Sequence, residues 1–504
     1  MIWGETVEYW GRWQRDSVAV RFGPQDLTWG DLNDRSRSLA AGLIGVGVGH
    51  GDRVGLLMSN RPEFLEVVVA CARLGAIVAP FNLRFTPPEL AFVVGNADCS
   101  VVVTEAALRA GLSEAQANAP DLVVIDADDG SLAELTATTT APPATKVATE
   151  DPLFICFTSG TTGDPKGAVL THQSWFYASM VRSLQGGINC QDRILLPFPL
   201  AFTGGLALSM VALWSGATLV LEPAFEPGRA LELIESQRIT VFMAVPTLFE
   251  QMALHPEFAA TDISSLRCVS SGGATVPVPL MQIYLDRDIT MTQAYSLTEV
   301  SASGITLPYD QALDRVGSCG VPAMHSEARI VDETGAEVAP GTVGEIAIKG
   351  PEVMAGYWRN PEATAATLRD GWCHTGDLGT MDADGFFYVV DRAKDMLISG
   401  GINVYPAEIE RQLSGLDGVL ELAVIGVPDE QWGETPAVIA VTDGREVTGA
   451  DVLDRCVGSL ADFKLPRYLV IRQEPLPRNM SGKVLKADLR NQYGDLPAQS
   501  EPIR

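Results

Sequence analysis

The feature that most constrains this chain is a rhythm. From about Leu32 to Tyr309, short apolar runs alternate with stretches of helical periodicity. Leu32–Val46 reads as an amphipathic helix, Asp52–Met58 (DRVGLLM) as a buried strand, Pro62–Leu74 as a helix, and Ala76–Pro80 and Ser100–Thr104 as further strands. Strands that alternate with helices imply parallel βαβ units whose sheet is covered on both faces. Between Asp129 and Asp151 the chain turns Thr-, Ala- and Pro-rich (TATTTAPPATK), which predicts a flexible surface connection. The rhythm then resumes, with strands predicted at Arg193–Leu196, Ala217–Leu221, Val241–Val245, Leu266–Ser270 and Thr290–Ala294.

After about Gln311 the texture changes to short β runs with Gly and Pro turns: Glu327–Val331, then DETG, Gly344–Lys349 and Gly385–Val390. These predict a small antiparallel unit, a β-barrel. The last hundred residues form another α/β piece, with helices at Pro406–Leu413 and Asp451–Leu460 and strands at Val419–Val427 and Tyr468–Gln473. The expected architecture is α/β. A large N-terminal domain, 1–392, holds two parallel-sheet βα subdomains (about 1–165 and 166–310) and the barrel (about 311–391). A hinge at 391–394 leads to a small mobile α+β C-terminal domain, 393–504. No tandem repeat is present.

Composition narrows the function classes. With 46% apolar and 20% charged residues over 504 positions, the chain can bury a core and is not disordered. Thirty-six Lys and Arg face 63 Asp and Glu, a net charge of −27. That excludes nucleic acid, whose affinity comes from neutralised phosphates, and argues against an anionic membrane surface. The greasiest windows, such as Leu65–Ala72 and Leu206–Trp214, fall far short of the ~20 residues that span a bilayer. Met1–Trp10 lacks the basic start and apolar run of a signal peptide. Eight scattered cysteines without a CxxC pair read as thiols of a reducing cytosol, so a cytoplasmic location is expected. Five histidines without HExxH or a Cys/His cluster argue against a zinc site. Only seven lysines exist, at 146, 166, 349, 394, 464, 483 and 486, so a lysine inside a chemical motif carries weight.

The strongest motif is Phe157–Gly167, FTSGTTGDPKG, directly after a predicted strand at Leu153–Phe157. Glycines and small hydroxyl residues let the backbone approach an anion, and several donors can converge on phosphate oxygens. Lys166 adds a point charge that can reach the β/γ-phosphates. Gly167 follows the lysine where a Walker A loop needs Ser or Thr, so this is a different phosphate loop. Further motifs are Gln293–Glu299 (QAYSLTE), Gly350–Leu378 (GPEVMAGYWRNPEATAATLRDGWCHTGDL), Asp391–Glu410 (DRAKDMLISGGINVYPAEIE) and Pro477–Lys483 (PRNMSGK).

At these residues the sequence resembles the superfamily of AMP-forming acid ligases, which holds acyl- and aryl-CoA synthetases, peptide-synthetase adenylation domains and luciferases. The resemblance runs from about Thr28 to Lys486. It implies that Thr158, Ser159, Gly160, Thr161, Thr162, Gly163 and Lys166 hold the phosphates of ATP. It implies that Gly272, Gly273, Ala274, Gln293, Ala294 and Ser296 line the nucleotide, that Tyr295 stacks on adenine and that Thr298 touches the α-phosphate. Glu299 is implied to help hold Mg²⁺, since a carboxylate at a triphosphate is tolerable only with a cation between them. Asp377 is expected on the ribose hydroxyls, with Val389 and Arg392 nearby. Lys394 matches the hinge residue. Ser399, Gly400, Gly401 and Asn403 match the segment against the pantetheine arm of CoA. Lys483 matches the lysine that bridges the acid carboxylate and the α-phosphate, where two anions must meet and charge develops on phosphorus. Phe202, Thr203, Gly204, Val245, Gly272 and Leu297 are the expected acyl-pocket residues. The catalytic set is therefore Lys483, Glu299, Thr158 and Lys166.

The implied reaction is attack of a carboxylate on the α-phosphate of ATP, giving acyl-AMP and pyrophosphate, then opening of the mixed anhydride by the thiol of CoA. No nucleophilic side chain is needed, and no GxSxG is present. Three positions depart from the family. Phe202 stands where CoA ligases usually carry histidine beside the acyl carboxylate, preceded by Ala201 where a bulky aromatic is usual. Ser296 stands where glycine is usual. Ala201, Gly204, Gly205, Gly272, Gly273 and Ala274 suggest a wide apolar pocket for a bulky aryl, polycyclic or branched acid. No Asp appears where an α-amine would be held, and no carrier domain follows Arg490, which disfavours amino-acid loading. Two alternatives stay open: an enzyme that stops at acyl-AMP and passes it to an acyl-acceptor protein, and a non-catalytic AMP- or acyl-binding protein on the same fold. A homodimer also stays open.

Overall fold

The computed structural model describes residues 2–138, 145–158, 165–274, 276–399, 402–429, 432–478 and 484–504. Of the expected site residues, Ser159, Gly160, Thr161, Thr162, Gly163, Gly400, Gly401 and Lys483 lie outside these. The chain forms two compact units: Met1–Val316 with Gly320–Ala328 and Ile348–His374, and Gly317–Cys319 with Arg329–Ala347 and Thr375–Arg504.

The first unit is built on two sheets. One has seven strands in the order Gly356–Tyr357, Lys166–Thr171, Pro152–Thr158, Ile77–Pro80, Arg53–Leu57, Val101–Thr104, Val123–Asp126. From Pro152–Thr158 onward its neighbours are parallel, and the first two strands add antiparallel. The other has nine strands, with Met291–Ser296, Cys268–Gly272, Val241–Ala244, Arg193–Leu196, Thr218–Leu221 and Val18–Phe22 parallel in that order. The parallel sheets expected from the βα rhythm are therefore present. Their membership is not sequential: Val18–Phe22 joins the second sheet, and Gly356–Tyr357 joins the first.

Between these sheets lies one large core. The helix Pro62–Leu74 starts on a proline, whose missing N–H is an orphan there anyway, and is closed by Gly75. Eleven of its residues are buried, so it is apolar nearly all round. The helix Thr203–Ser215 is similar, with Leu206, Leu208, Met210 and Val211 at most 1% exposed. Each such side chain contributes roughly 1.5–3 kcal/mol by leaving water. Both helices, with Trp175 and Trp29, share a single contiguous cluster.

Part of the stretch predicted as a flexible connection is helical, and residues 139–144 of it lie outside the described residues. Ser131–Thr136 is a helix whose Leu132 is 2% exposed. Its Leu135 packs so closely on the helix Trp29–Gly45 that a Cβ at Gly42 would lie 2.5 Å from the Leu135 carbonyl. Two leucines at helical spacing were enough to fold a stretch whose composition read as linker.

In the second unit a five-stranded sheet runs Ile402–Val404, Leu397–Ser399, Gly433–Thr442, Val419–Asp429, with Tyr468–Arg472 parallel to Gly433–Thr442. Side chains alternate across it. Val424 and Val438 face the helices Pro406–Leu413 and Gly449–Cys456, while Ile425 and Ile439 face Leu489 of the helix Lys486–Tyr493. The helix expected over Asp451–Leu460 stops at Cys456, because Val457 is extended and Gly458 follows at φ +81°. Its start is fixed by Thr448, whose hydroxyl accepts from the Asp451 N–H. In the region expected as a barrel, Trp372–Met381 and Phe387–Arg392 form an antiparallel pair that sets Asp377 opposite Arg392.

Candidate active site

The loop expected to hold phosphate springs from an antiparallel hairpin. Pro152–Thr158 enters it and Lys166–Thr171 leaves it, with Thr158 paired to Lys166. The Thr158 hydroxyl donates to the Lys166 carbonyl at 3.4 Å. The loop's ends are thus clamped together, a requirement for a small anion cradle.

Onto the outgoing strand the two-residue strand Gly356–Tyr357 adds, pairing Tyr357 with Ala168. Tyr357 was legible in the sequence only as part of a motif; the fold makes it a centre of the site. Its hydroxyl donates to Glu299 Oε1 at 2.7 Å. The ammonium of Lys166 rests over its ring, 5.8 Å from the centroid. Burial, and then the Glu299 charge, push the phenol far above its ordinary range, so it stays a donor. Glu299 is held from behind as well, since its carbonyl accepts from the Met354 N–H at 2.8 Å.

Thr298 and Glu299 open a short helical turn, Thr298–Val300, after the strand Met291–Ser296. The Thr298 and Thr203 hydroxyls share a hydrogen bond at 2.8 Å. Thr203, expected to line the acyl pocket, is thereby also the neighbour of the residue expected at the α-phosphate. The nearby thiol of Cys156 is buried, which pushes it up to about 12, so this cysteine is inert.

Phe202 caps the start of the helix Thr203–Ser215 without a side-chain hydrogen bond. Its own N–H donates to the Pro199 carbonyl. Gly205 is required where it stands: a Cβ would lie 2.2 Å from the Pro199 carbonyl oxygen. Gly204, by contrast, faces open space.

Gly272 ends the strand Cys268–Gly272 and pairs with Ala294. Gly273 follows at φ +80°, a left-handed conformation suited to glycine, and a Cβ there would touch Val245 at 3.4 Å. Ala274 is exposed. Gln293 is buried and accepts from the Val276 N–H at 3.1 Å. Tyr295 is 9% exposed, and Ser296 and Leu297 are half-buried beside it. Thr158, Lys166, Thr203, Thr298 and Glu299 are therefore joined, pair by pair, by contacts within the first unit.

The second unit carries its own group of expected residues. Asp377 is 6% exposed, and Arg392 Nε lies 3.2 Å from its Oδ1. Val389 pairs with Gly379 in the same hairpin. The neighbouring Asp391 is buried, accepting from the N–H groups of Arg392 and Ala407. Burial works against the charge on Lys486, but Glu410 at 2.8 Å and Asp391 outweigh it and hold its ammonium above the usual range. Burial, then the Arg392 charge, lower the Lys394 ammonium, against the pull of Asp395. Ser399 is buried at the end of Leu397–Ser399, and Asn403 is exposed on the adjoining strand.

Glu299 suits a magnesium ion held mainly by phosphate oxygens. One carboxylate oxygen is fixed by Tyr357, and a lone carboxylate plus substrate oxygens is the usual Mg²⁺ arrangement. Among the described residues no cluster of three or more His, Cys, Asp or Glu forms a protein-only metal cage. Nor is any described helix long and apolar enough to cross a membrane.

Residues 7–358 match the AMP-binding enzyme family and residues 408–483 match the AMP-binding enzyme C-terminal domain. Among curated proteins the chain is 40% identical to a feruloyl-CoA synthase of Amycolatopsis, over 95% of this chain and 96% of that one. It is 39% identical to a long-chain-fatty-acid–CoA ligase of Mycobacterium tuberculosis, over 93% of each chain. Among solved structures, ATP-bound MatB from Rhodopseudomonas palustris superposes with a TM-score of 0.90 at 32% identity, covering 98% of this chain and all of that one. With family matches in both parts of the chain and relatives along nearly its whole length, the chain belongs to the AMP-binding enzyme family.

Proposed function

We propose that the protein is an ATP-dependent acid–thiol ligase acting on an apolar, bulky carboxylic acid, which it converts first to acyl-AMP and then to acyl-CoA. The observation that carries this reading is the Lys166–Tyr357–Glu299 arrangement at the mouth of the phosphate loop. It offers a cation for phosphate oxygens and a carboxylate for their counter-ion from one side-chain cluster.

The chemistry is positioning and charge neutralisation. Lys166 neutralises the departing β/γ-phosphates. Thr298, held by Thr203, donates to the α-phosphate. Glu299 would hold Mg²⁺, which supplies charge neutralisation at the triphosphate. Lys483 brings the acid carboxylate to the α-phosphorus. Asp377 accepts from both ribose hydroxyls, and Tyr295 offers a ring to adenine. The C-terminal domain, 393–504, turns about Lys394, withdrawing Lys483 and bringing in the Ser399–Gly401 segment and Asn403 for the thiol.

The acid is apolar and broad in this reading because Ala201, Gly204 and Gly273 leave room and Phe202 presents a ring. A cytoplasmic site of action fits a supply of ATP and CoA, and a homodimer is compatible with the reaction. The deciding experiment is a panel of acids with ATP, with and without CoA. Aryl or branched acids should release pyrophosphate and yield thioester. Equal use of acetate or glycine would defeat the pocket assignment. Accumulated acyl-AMP with no thioester would mean that Phe202 has closed the second step and that a partner protein takes the acyl group.

A further inference from the structure

Tyr357 belongs to none of the groups that the reaction itself requires, yet it touches two of them. Three observations set it apart. First, its hydroxyl is spent on Glu299, the residue that faces the triphosphate in the reading above. Second, its ring is the resting place of Lys166. Third, its backbone is fixed to the outgoing strand of the phosphate loop rather than to a mobile segment. Tyr357 pairs with Ala168, its N–H donates to the Thr364 hydroxyl at 2.8 Å, and the N–H of Trp358 donates to the Gly167 carbonyl at 2.7 Å.

The anchoring continues outward. The Trp358 indole N–H donates to the Asn96 carbonyl at 3.1 Å, and Arg53 and Arg359 lie over its ring at 5.8 and 5.6 Å. A tyrosine pinned so firmly has little freedom to follow its neighbours, so they take their positions from it. A phenol that donates to one oxygen of a carboxylate fixes the plane of that carboxylate and leaves the other oxygen for a cation. An aromatic face beside a lysine gives the ammonium a berth without neutralising it, unlike a carboxylate, which would compete with phosphate.

We propose that Tyr357 is a positioning residue of the adenylation step, setting the Glu299 carboxylate through its hydroxyl and the Lys166 ammonium through its ring. The cation-binding and anion-binding halves of the triphosphate site are thus referred to one side chain. This rests on the assignment of Lys166 and Glu299 to ATP, and it predicts separable effects of hydroxyl and ring.

The test compares the full chain with Tyr357→Phe and Tyr357→Leu. ATP affinity is read by calorimetry in EDTA and again in magnesium, kcat and KM for ATP by pyrophosphate exchange, and thioester formation from supplied acyl-AMP and CoA. In Tyr357→Phe, ATP affinity in EDTA should match the unaltered chain, because the ring remains under Lys166. The gain in affinity on adding magnesium should shrink, and kcat for adenylation should fall about tenfold, the cost of one hydrogen bond to a charged group. In Tyr357→Leu, ATP affinity in EDTA should fall as well, by a few-fold. The thioester step should be unchanged in both. A full magnesium gain in Tyr357→Phe would overturn the role of the hydroxyl. Equal losses in every readout, the thioester step included, would mean a structural residue and would overturn the proposal. If the unaltered chain binds ATP but no acid drives exchange, the proposed reaction fails, while the calorimetry still decides the role of Tyr357.

Discussion

Arg392 and Asp377 face each other across an antiparallel hairpin, the guanidinium 3.2 Å from the carboxylate. The acceptor expected at the ribose is oriented by a cation that is itself half-exposed. Asp377→Asn keeps the size but loses one acceptor, and should weaken ATP binding about tenfold or more by calorimetry. Arg392→Met should weaken it by less and leave the melting temperature nearly unmoved, because a partly exposed pair contributes little to folding. Unchanged ATP affinity in Asp377→Asn would remove this residue from the nucleotide site.

Thr203 offers a clean division between two roles. If its hydroxyl serves Thr298, Thr203→Val should lower kcat for pyrophosphate exchange by roughly three- to tenfold, with the KM for the acid nearly constant. A raised KM for the acid with kcat intact would instead assign the side chain to the acyl pocket.

Glu66 predicts a pH dependence of stability. It is fully buried in the helix Pro62–Leu74, with Arg35 3.0 Å from Oε1 but out of line for a hydrogen bond. Burial raises its carboxyl to about 7, against the pull of Arg35. The folded state therefore binds a proton that the unfolded chain has released above its ordinary value near 4.5. Stability from this group should fall as pH rises from about 4.5 to 7 and then level off, by an amount on the order of 3 kcal/mol. Glu66→Gln should flatten that slope in melts run from pH 5 to 8. An identical slope in the variant would mean that Glu66 ionises freely.

Lys483, on the PRNMSGK segment, separates the two half-reactions. Lys483→Ala should abolish acid- and ATP-dependent pyrophosphate release yet spare thioester formation from supplied acyl-AMP. ATP-dependent turnover that survives the substitution would refute the role given to this lysine.

The motifs proposed for the site are legible in the sequence because each is local. A glycine- and hydroxyl-rich loop followed by lysine, or Asp in a Thr-Gly-Asp run, carries its chemistry within a few residues. Tyr357 was not legible in the same way. What gives it a role is pairing with Ala168 and contact with Glu299, both distant in sequence, and a two-residue strand has no periodicity to announce itself. The βα rhythm predicted parallel sheets, but parallel pairing leaves no local mark of which strand lies beside which. Hence Val18–Phe22 could not be assigned from sequence to the sheet of Thr218–Leu221. Ser131–Thr136 was missed because composition outweighed two well-spaced leucines.

Asn60 stitches the first unit together. Its side-chain N–H groups donate to the carbonyls of Phe198 and Glu222, each at 2.9 Å, and its oxygen accepts from the Leu200 N–H at 2.8 Å. It stands just beyond the strand Arg53–Leu57 of one sheet and grips the chain just beyond two strands of the other. Through Leu200 the start of the helix that presents Phe202 and Thr203 is registered to the opposite sheet. In the proposed pocket, the acid's surroundings are thus gauged from the far side of the core. Substitutions around Asn60 that touch no substrate should retune which acids are accepted, so selectivity in this enzyme has a remote dial.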